Sequence, residues 1–269
     1  MSTNRIDAAF ERCRQENRRA LIAYLTAGDP HPDRTVELIL ALEKGGADIL
    51  ELGVPFSDPI ADGPVIQRAS DRALAAGTTL KKIFEIIRKT REQSQIPIVV
   101  FSYLNPVMRL GFEGFADEVA SSGADGALLT DLNIEAAGDY IRLMKERDLR
   151  TIFLGSQTSS DERLKEVAAA SSGFLYLVST AGVTGARSGL SDAAIPLVTR
   201  TREATDLPLA LGFGLSTREH MEAIKEHVDG AIVGSAFMRV VEEIGDAPEL
   251  PERLEKLASE LSAGLQLSE

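Results

Sequence analysis

The feature that most restricts this chain is one alternation repeated eight times along its length. Short runs rich in Val, Ile, Leu, Phe and Tyr are separated by charged stretches with apolar residues at three- and four-residue spacing. The runs are residues 20–25, 47–52, 98–103, 125–130, 150–154, 174–179, 207–211 and 230–233. Nearly all are apolar on both faces, which is what strands covered on both sides require. Helices are predicted between them at 33–44, 80–93, 112–122, 135–148, 161–170, 192–204, 217–226 and 236–243. Eight βα units in about 250 residues predict an α/β protein with a closed (β/α)8 TIM barrel. An open doubly wound sheet uses the same alternation; the strand count favours the barrel. Residues 1–19 read as an extra N-terminal helix at the bottom of the barrel, and 248–267 as a final helix started by Pro248 and Pro251. No Gly/Ser linker divides the chain, so residues 1–269 are expected to form a single barrel domain.

The chain has 269 residues, 44% hydrophobic and 26% charged, enough apolar material for a substantial core. Its formal charge of −12 argues against nucleic acid and anionic membranes as partners. A small anionic ligand stays possible, because backbone N–H groups bind anions locally whatever the net charge. Cys13 is the single cysteine and cannot form an internal disulfide. No apolar stretch approaches the ~18–20 residues of a membrane span, and residues 1–20 carry charges throughout, so a cytoplasmic protein is expected.

In a barrel, chemistry sits at the C-terminal ends of the strands. Three glycine clusters fall there: Thr180 to Gly185, Gly212 to Ser216, and Gly234-Ser235 at a helix start. Glycines permit close backbone approach, and a helix N-terminus offers unpaired N–H groups, so together they can bind a phosphate; taken singly, each could equally be a turn. Glu51 ends the second strand among apolar neighbours, where desolvation raises a carboxyl pKa toward that of a working acid and base. An arginine-paired or loop-capping glutamate is the alternative. Asp62 lies in an unusually long connection between residues 52 and 80, where an Asx turn is the competing reading. His31, His220 and His227 sit away from the strand tops, and no metal-ligand spacing, P-loop or GxSxG elbow is present.

The run Leu50-Glu51-Leu52-Gly53-Val54-Pro55-Phe56-Ser57-Asp58-Pro59-Ile60-Ala61-Asp62-Gly63-Pro64-Val65-Ile66-Gln67 closely resembles the signature of the tryptophan synthase alpha subunit family. Similar matches are Thr26 to Pro30, Tyr103 to Pro106, Gly182 to Arg187, Gly212 to Gly214 and Gly234-Ser235, so the resemblance spans essentially the whole chain. It implies a lyase that cleaves indole-3-glycerol phosphate to indole and glyceraldehyde 3-phosphate by a retro-aldol reaction. It also implies no cofactor in this chain, and a beta subunit partner that carries pyridoxal phosphate in an alpha2beta2 tetramer.

By the same resemblance, Glu51 is the general acid and base and Asp62 the carboxylate that stabilises charge at the indole nitrogen. Gly185, Gly214, Gly234 and Ser235 match phosphate-binding positions. Tyr24, Ile66, Phe101, Leu128, Tyr176 and Phe213 match an apolar indole pocket. The loops carrying Asp62 and Thr184 resemble two lids that meet over substrate, and Pro55, Asp58, Asn105 and Pro106 match the beta-facing surface. Two departures stand out: Asn133-Ile134 replaces a Pro-Pro pair, and Ser156 to Ser160 replaces a Pro-Thr-Thr-Pro stretch. Proline stiffens a loop, so its loss puts partner affinity in question. Alternatives to an activated alpha subunit are a stand-alone lyase releasing free indole, a non-catalytic regulatory subunit, and another phosphate-binding barrel such as a sugar phosphate isomerase.

Overall fold

A computed structural model describes residues 4–178, 188–212 and 214–267, with the side chains of 188–193 left undescribed. Its strands are β1 (Ala20–Thr26), β2 (Ile49–Gly53), β3 (Ile98–Ser102), β4 (Gly126–Leu129), β5 (Arg150–Ile152), β6 (Leu154–Ser156), β7 (Leu175–Val178), β8 (Leu209–Gly212) and β9 (Gly230–Val233). All pairs are parallel, in the order β5-β4-β3-β2-β1-β9-β8-β7-β6. The two ends of that order, β5 and β6, are consecutive in the chain and flank Phe153. The lower half of this run pairs with β4 and the upper half with β7, so the sheet closes into the expected TIM barrel. The expected fifth strand is therefore real but broken, its ladder carried across the break by Tyr176 N–H donating to Phe153 O at 3.2 Å.

The long connection after β2 is shorter than the sequence reading made it. A helix spans Pro64–Ala75, with Pro64 in its first turn and Ile66, Ala69, Ser70 and Ala73 buried at helical spacing. The irregular loop is thus confined to Val54 through Gly63. A further short helix, Leu104–Met108, follows β3 where none was expected. Residues 33–44 divide into a turn of 3-10 helix and a helix Thr35–Lys44, and 135–148 divide likewise into Ile134–Ala136 and Gly138–Glu146.

Two apolar layers hold the barrel. Outside, helices pack on the sheet through residues such as Leu38, Phe84, Phe115 and Phe237. Inside, Ile22, Ile49, Val99, Leu128, Ile152 and Ile232 fill the barrel, and the helix Arg5–Gln15 adds Ile6, Ala9, Phe10 and Cys13 to that cluster. The extra helix therefore closes the bottom, with Phe10 and Phe174 ring centroids 5.7 Å apart. Asn4 fixes it there: its side chain caps Ile6 N–H and its Nδ2 donates to Asp125 O and Asp148 O at 3.0 and 2.9 Å.

Candidate active site

Each inward position at the top of the barrel follows from strand register. Tyr24 stands opposite Glu51, Gly53 opposite Phe101, and Phe101 opposite Leu128. Across the barrel, Tyr176 aligns with Leu154 and Ala210. The strands thus bring Tyr24, Glu51, Phe101, Leu128 and Tyr176 to one interior, with the Tyr24 and Phe101 rings edge-on at 5.3 Å. Glycine makes room for the phenols. A Cβ on Gly53 would sit 2.2 Å from the Tyr24 hydroxyl, and one on Gly212 would sit 2.4 Å from that of Tyr176.

Glu51 is 1% exposed, and its Oε1 has no hydrogen-bond partner. Burial alone pushes its carboxyl up to about 8, so it is protonated at neutral pH. No arginine or loop amide among the described residues claims it, which argues against the ion-pair and capping readings; an orphaned buried carboxyl in a barrel mouth is a mark of function. Asp62, half-buried at the end of the Val54–Gly63 loop, is pushed up to about 6 by burial, opposed by a hydrogen bond donated from the Tyr103 hydroxyl to Oδ2 at 3.0 Å. Both carboxyls raise the phenol pKa of Tyr24 and Tyr176, already driven up by burial, which places the four groups in one electrostatic neighbourhood.

The rim carries a helix N-terminus and an open glycine turn. Gly234 precedes the helix Ser235–Ile244, whose first helical bond runs from Met238 N–H to Gly234 O at 3.1 Å. The amides of Ser235, Ala236 and Phe237 are left at a helix N-terminus beside Tyr24, whose Cβ lies 3.3 Å from where a Gly234 Cβ would be. Gly214 has φ +82°, the left-handed conformation that favours glycine, and faces open space. Ile66 is buried one turn beyond Asp62, within the apolar layer that includes Tyr24. Thr184, Gly185 and Phe213 lie outside the described residues.

The sequence reading missed Tyr103, which ties down the Asp62 loop. Its signal was the two-residue alternation Val99, Phe101, Tyr103, which carries the inward face of β3 one step past the strand end. A second network brackets the rim. Arg72 donates two bonds of 2.8 Å to the fully buried Asp29 and a third to Glu242, which also accepts from Arg68. It joins the loop after β1 to the helices Pro64–Ala75 and Ser235–Ile244. The proline-free loop at Ser156 to Ser160 is held by hydroxyls instead: Ser156 Oγ meets Thr158 Oγ1 at 2.9 Å and Ser159 Oγ at 3.2 Å, while Ser160 caps the next helix. A cleft of about 600 Å³ opens at the opposite end of the barrel, but its Arg150 and Arg202 are neutralised by Asp7 and Asp229.

The family description "Tryptophan synthase alpha chain" matches residues 10–266. This chain belongs to the tryptophan synthase alpha chain family. It is 52% identical over 260 residues to the tryptophan synthase alpha chain of Solibacter usitatus, covering 97% of both, and 45% identical over 264 residues to that of Geotalea uraniireducens, covering 98% of both. Among solved structures it resembles tryptophan synthase of Mycobacterium tuberculosis with TM-score 0.89 and 37% identity, over 99% of this chain and 100% of that one. Tryptophan synthase subunit alpha of Legionella pneumophila gives TM-score 0.90 and 35% identity, over 98% and 99%. The chain is accordingly a carbon–carbon lyase of tryptophan biosynthesis, cleaving indole-3-glycerol phosphate to indole and glyceraldehyde 3-phosphate. No described helix is long and apolar enough to cross a membrane.

Proposed function

We propose that Glu51 moves the proton in this cleavage and that Asp62 stabilises the charge it creates. The observation that carries the reading is the buried, unpartnered carboxyl of Glu51, held in its acid form by burial. Protonated Glu51 gives its proton to indole C3, and positive charge develops at the ring nitrogen. Asp62, less strongly perturbed and ionised at neutral pH, accepts the indole N–H and offsets that charge. The Glu51 carboxylate then takes the proton of the hydroxyl beside the scissile bond. The C–C bond breaks, an aldehyde forms, and the bonding electrons return to the indole ring. Glu51 ends as it began, protonated.

Tyr24, Ile66, Phe101, Leu128, Tyr176 and Phe213 hold the indole, and Gly185, Gly214, Gly234 and Ser235 hold the phosphate. Supporting the second set is the Ser235–Ile244 helix N-terminus at the rim. Thr184 meets Asp62 when the two loops close over substrate. Indole release by Glu51→Gln, with glycerol 3-phosphate binding measured alongside, tests the assignment; equal turnover by wild type and variant would end it.

The same reading gives this single-domain, cytoplasmic chain no cofactor of its own. Its partner is a beta subunit that carries pyridoxal phosphate, in an alpha2beta2 assembly. Supporting a partner is an exposed apolar set on one rim: Ile60 is 85% exposed, Met108 55% and Leu110 46%. Asp58 and Asn105 are exposed in the same segments and Pro106 is half-buried, whereas Pro55 is buried. Co-elution with a beta subunit on size exclusion, and turnover with and without it, separates this reading from a stand-alone lyase.

A further inference from the structure

Tyr103 lies at the end of β3 and is 2% exposed. Its hydroxyl accepts the Ala61 N–H at 3.0 Å and donates to Asp62 Oδ2 at 3.0 Å. Its ring packs on Phe56 with centroids 5.1 Å apart, so one side chain holds the Val54–Gly63 loop at three points. From behind, Tyr103 is fixed to the barrel rim: Ser102 Oγ donates to its carbonyl at 2.9 Å, and the next amide, Leu104 N–H, donates to Asp131 Oδ1 at 2.6 Å. The Ala61 amide can only donate and an ionised carboxylate can only accept, so the one phenol proton goes to Asp62. That bond occupies Oδ2 and leaves Oδ1 without a partner among the described residues.

We propose that Tyr103 is a positioning residue for the cleavage: its hydroxyl, held by Ala61 N–H, locks Asp62 with Oδ2 bound and Oδ1 turned toward the indole nitrogen. The inference rests on the role given to Asp62 above. Freed of this clamp, Asp62 on an exposed loop would sample orientations in which its charge is not opposite the ring nitrogen, and the loss would fall on the transition state rather than on binding. The titratable groups that feel Asp62 among the described residues are Tyr24 on β1, Tyr103 after β3 and Tyr176 on β7, and Glu51 on β2 acts on Tyr24 and Tyr176 as well. Of these, Tyr103 alone donates a hydrogen bond to Asp62 among the described residues.

The test compares wild type, Tyr103→Phe, Asp62→Asn and the double variant as full-length chains, measuring indole release from indole-3-glycerol phosphate between pH 5 and 9. Tyr103→Phe should lower kcat by about tenfold, as loss of a charge-assisted hydrogen bond does, with KM changed less than about twofold. Removing the donor disfavours ionised Asp62, so the acidic limb of activity should move up by about one pH unit. The double variant should be no slower than Asp62→Asn. Tyr103→Phe with wild-type kcat and limb, or with a loss that adds to that of Asp62→Asn, overturns the inference. Asp62→Asn at the wild-type rate instead overturns the role of Asp62 itself. Should Tyr103→Phe not fold, Ala61→Pro deletes the amide that orients the hydroxyl from an exposed position. A smaller upward movement of the same limb is then expected, and an unmoved limb overturns the proposal.

Discussion

Tyr24 and Glu51 occupy the same register position on adjacent strands, so a phenol and a carboxyl, both deeply buried, share one interior. Burial drives both groups toward their neutral forms, and the Glu51 carboxylate pushes the Tyr24 phenol further up. The pair keeps both protons at neutral pH, and of the two the carboxyl is the one within reach of the working range. Replacing Glu51 by Gln keeps the shape and removes the proton exchange. Indole release should fall at least ~10²-fold, the lower end of general acid–base catalysis, while glycerol 3-phosphate binds as in wild type by calorimetry.

In the proposed mechanism the two carboxyls set opposite limbs of a pH profile. Glu51 must be protonated to start, which holds below about 8, and Asp62 must be ionised, which holds above about 6. The turnover number should therefore trace a bell with its plateau between those values. A profile flat from pH 5 to 10 counts against both roles.

Glu51 also links stability to pH. Folded protein keeps its proton up to about 8, whereas the ordinary value is 4.5, so between them the folded state binds more protons than the unfolded one. Stability from this group is complete below 4.5 and drains away as pH rises through 8. Thermal melts at pH 6 and pH 9 should show a larger fall for wild type than for Glu51→Gln.

Gly53→Ala would place a Cβ 2.2 Å from the Tyr24 hydroxyl, inside a packed barrel. Overpacking of this kind costs about 1–3 kcal/mol, and Tyr24 would shift into the proposed indole site. The variant should melt lower and show a raised KM, and adding Tyr24→Phe should recover part of both. Additive losses in the double variant would show that the two positions do not meet.

Asp29 is fully buried and is neutralised by Arg72, itself one-third exposed. Arg72→Ala leaves an uncompensated buried charge, for which about 3 kcal/mol or more of destabilisation is expected from denaturant titration. An unchanged midpoint would mean that Asp29 is protonated or wet when unpaired.

Met108 and Leu110 lie outside the proposed chemistry. Met108→Glu and Leu110→Glu should weaken beta subunit binding by at least about tenfold, since a charge is placed in an apolar contact, and leave turnover of the isolated chain unchanged. Undiminished co-elution would move the docking face elsewhere.

Much of this architecture is legible in the residues. Runs such as Ala20–Thr26, buried along their whole length, announce strands covered on both faces, and Glu51 declares itself as a carboxyl where apolar neighbours leave it no water. The helix Pro64–Ala75 was hidden because its buried face is built largely of Ala and Ser, whose weak hydrophobicity masks the period. No periodic pattern marks Leu104–Met108, yet Asp131 accepts its first amide and a helical turn forms around Pro106. The break at Phe153 depends on which neighbour each half of the run finds, and that is decided across the sheet rather than along it. Tyr103 escaped for the same reason: its partner, Asp62, is 41 positions away.

The helix Arg5–Gln15, plugged beneath the strands, makes the barrel a cul-de-sac. Traffic in both directions has to use the mouth that the loops surround. On the proposed placement of substrate, an aromatic fragment released beside residue 51 lies deeper than the phosphorylated fragment at the rim. It either waits for that fragment to depart or slips sideways between the strand ends, so the plug narrows the ways in which the two products can part.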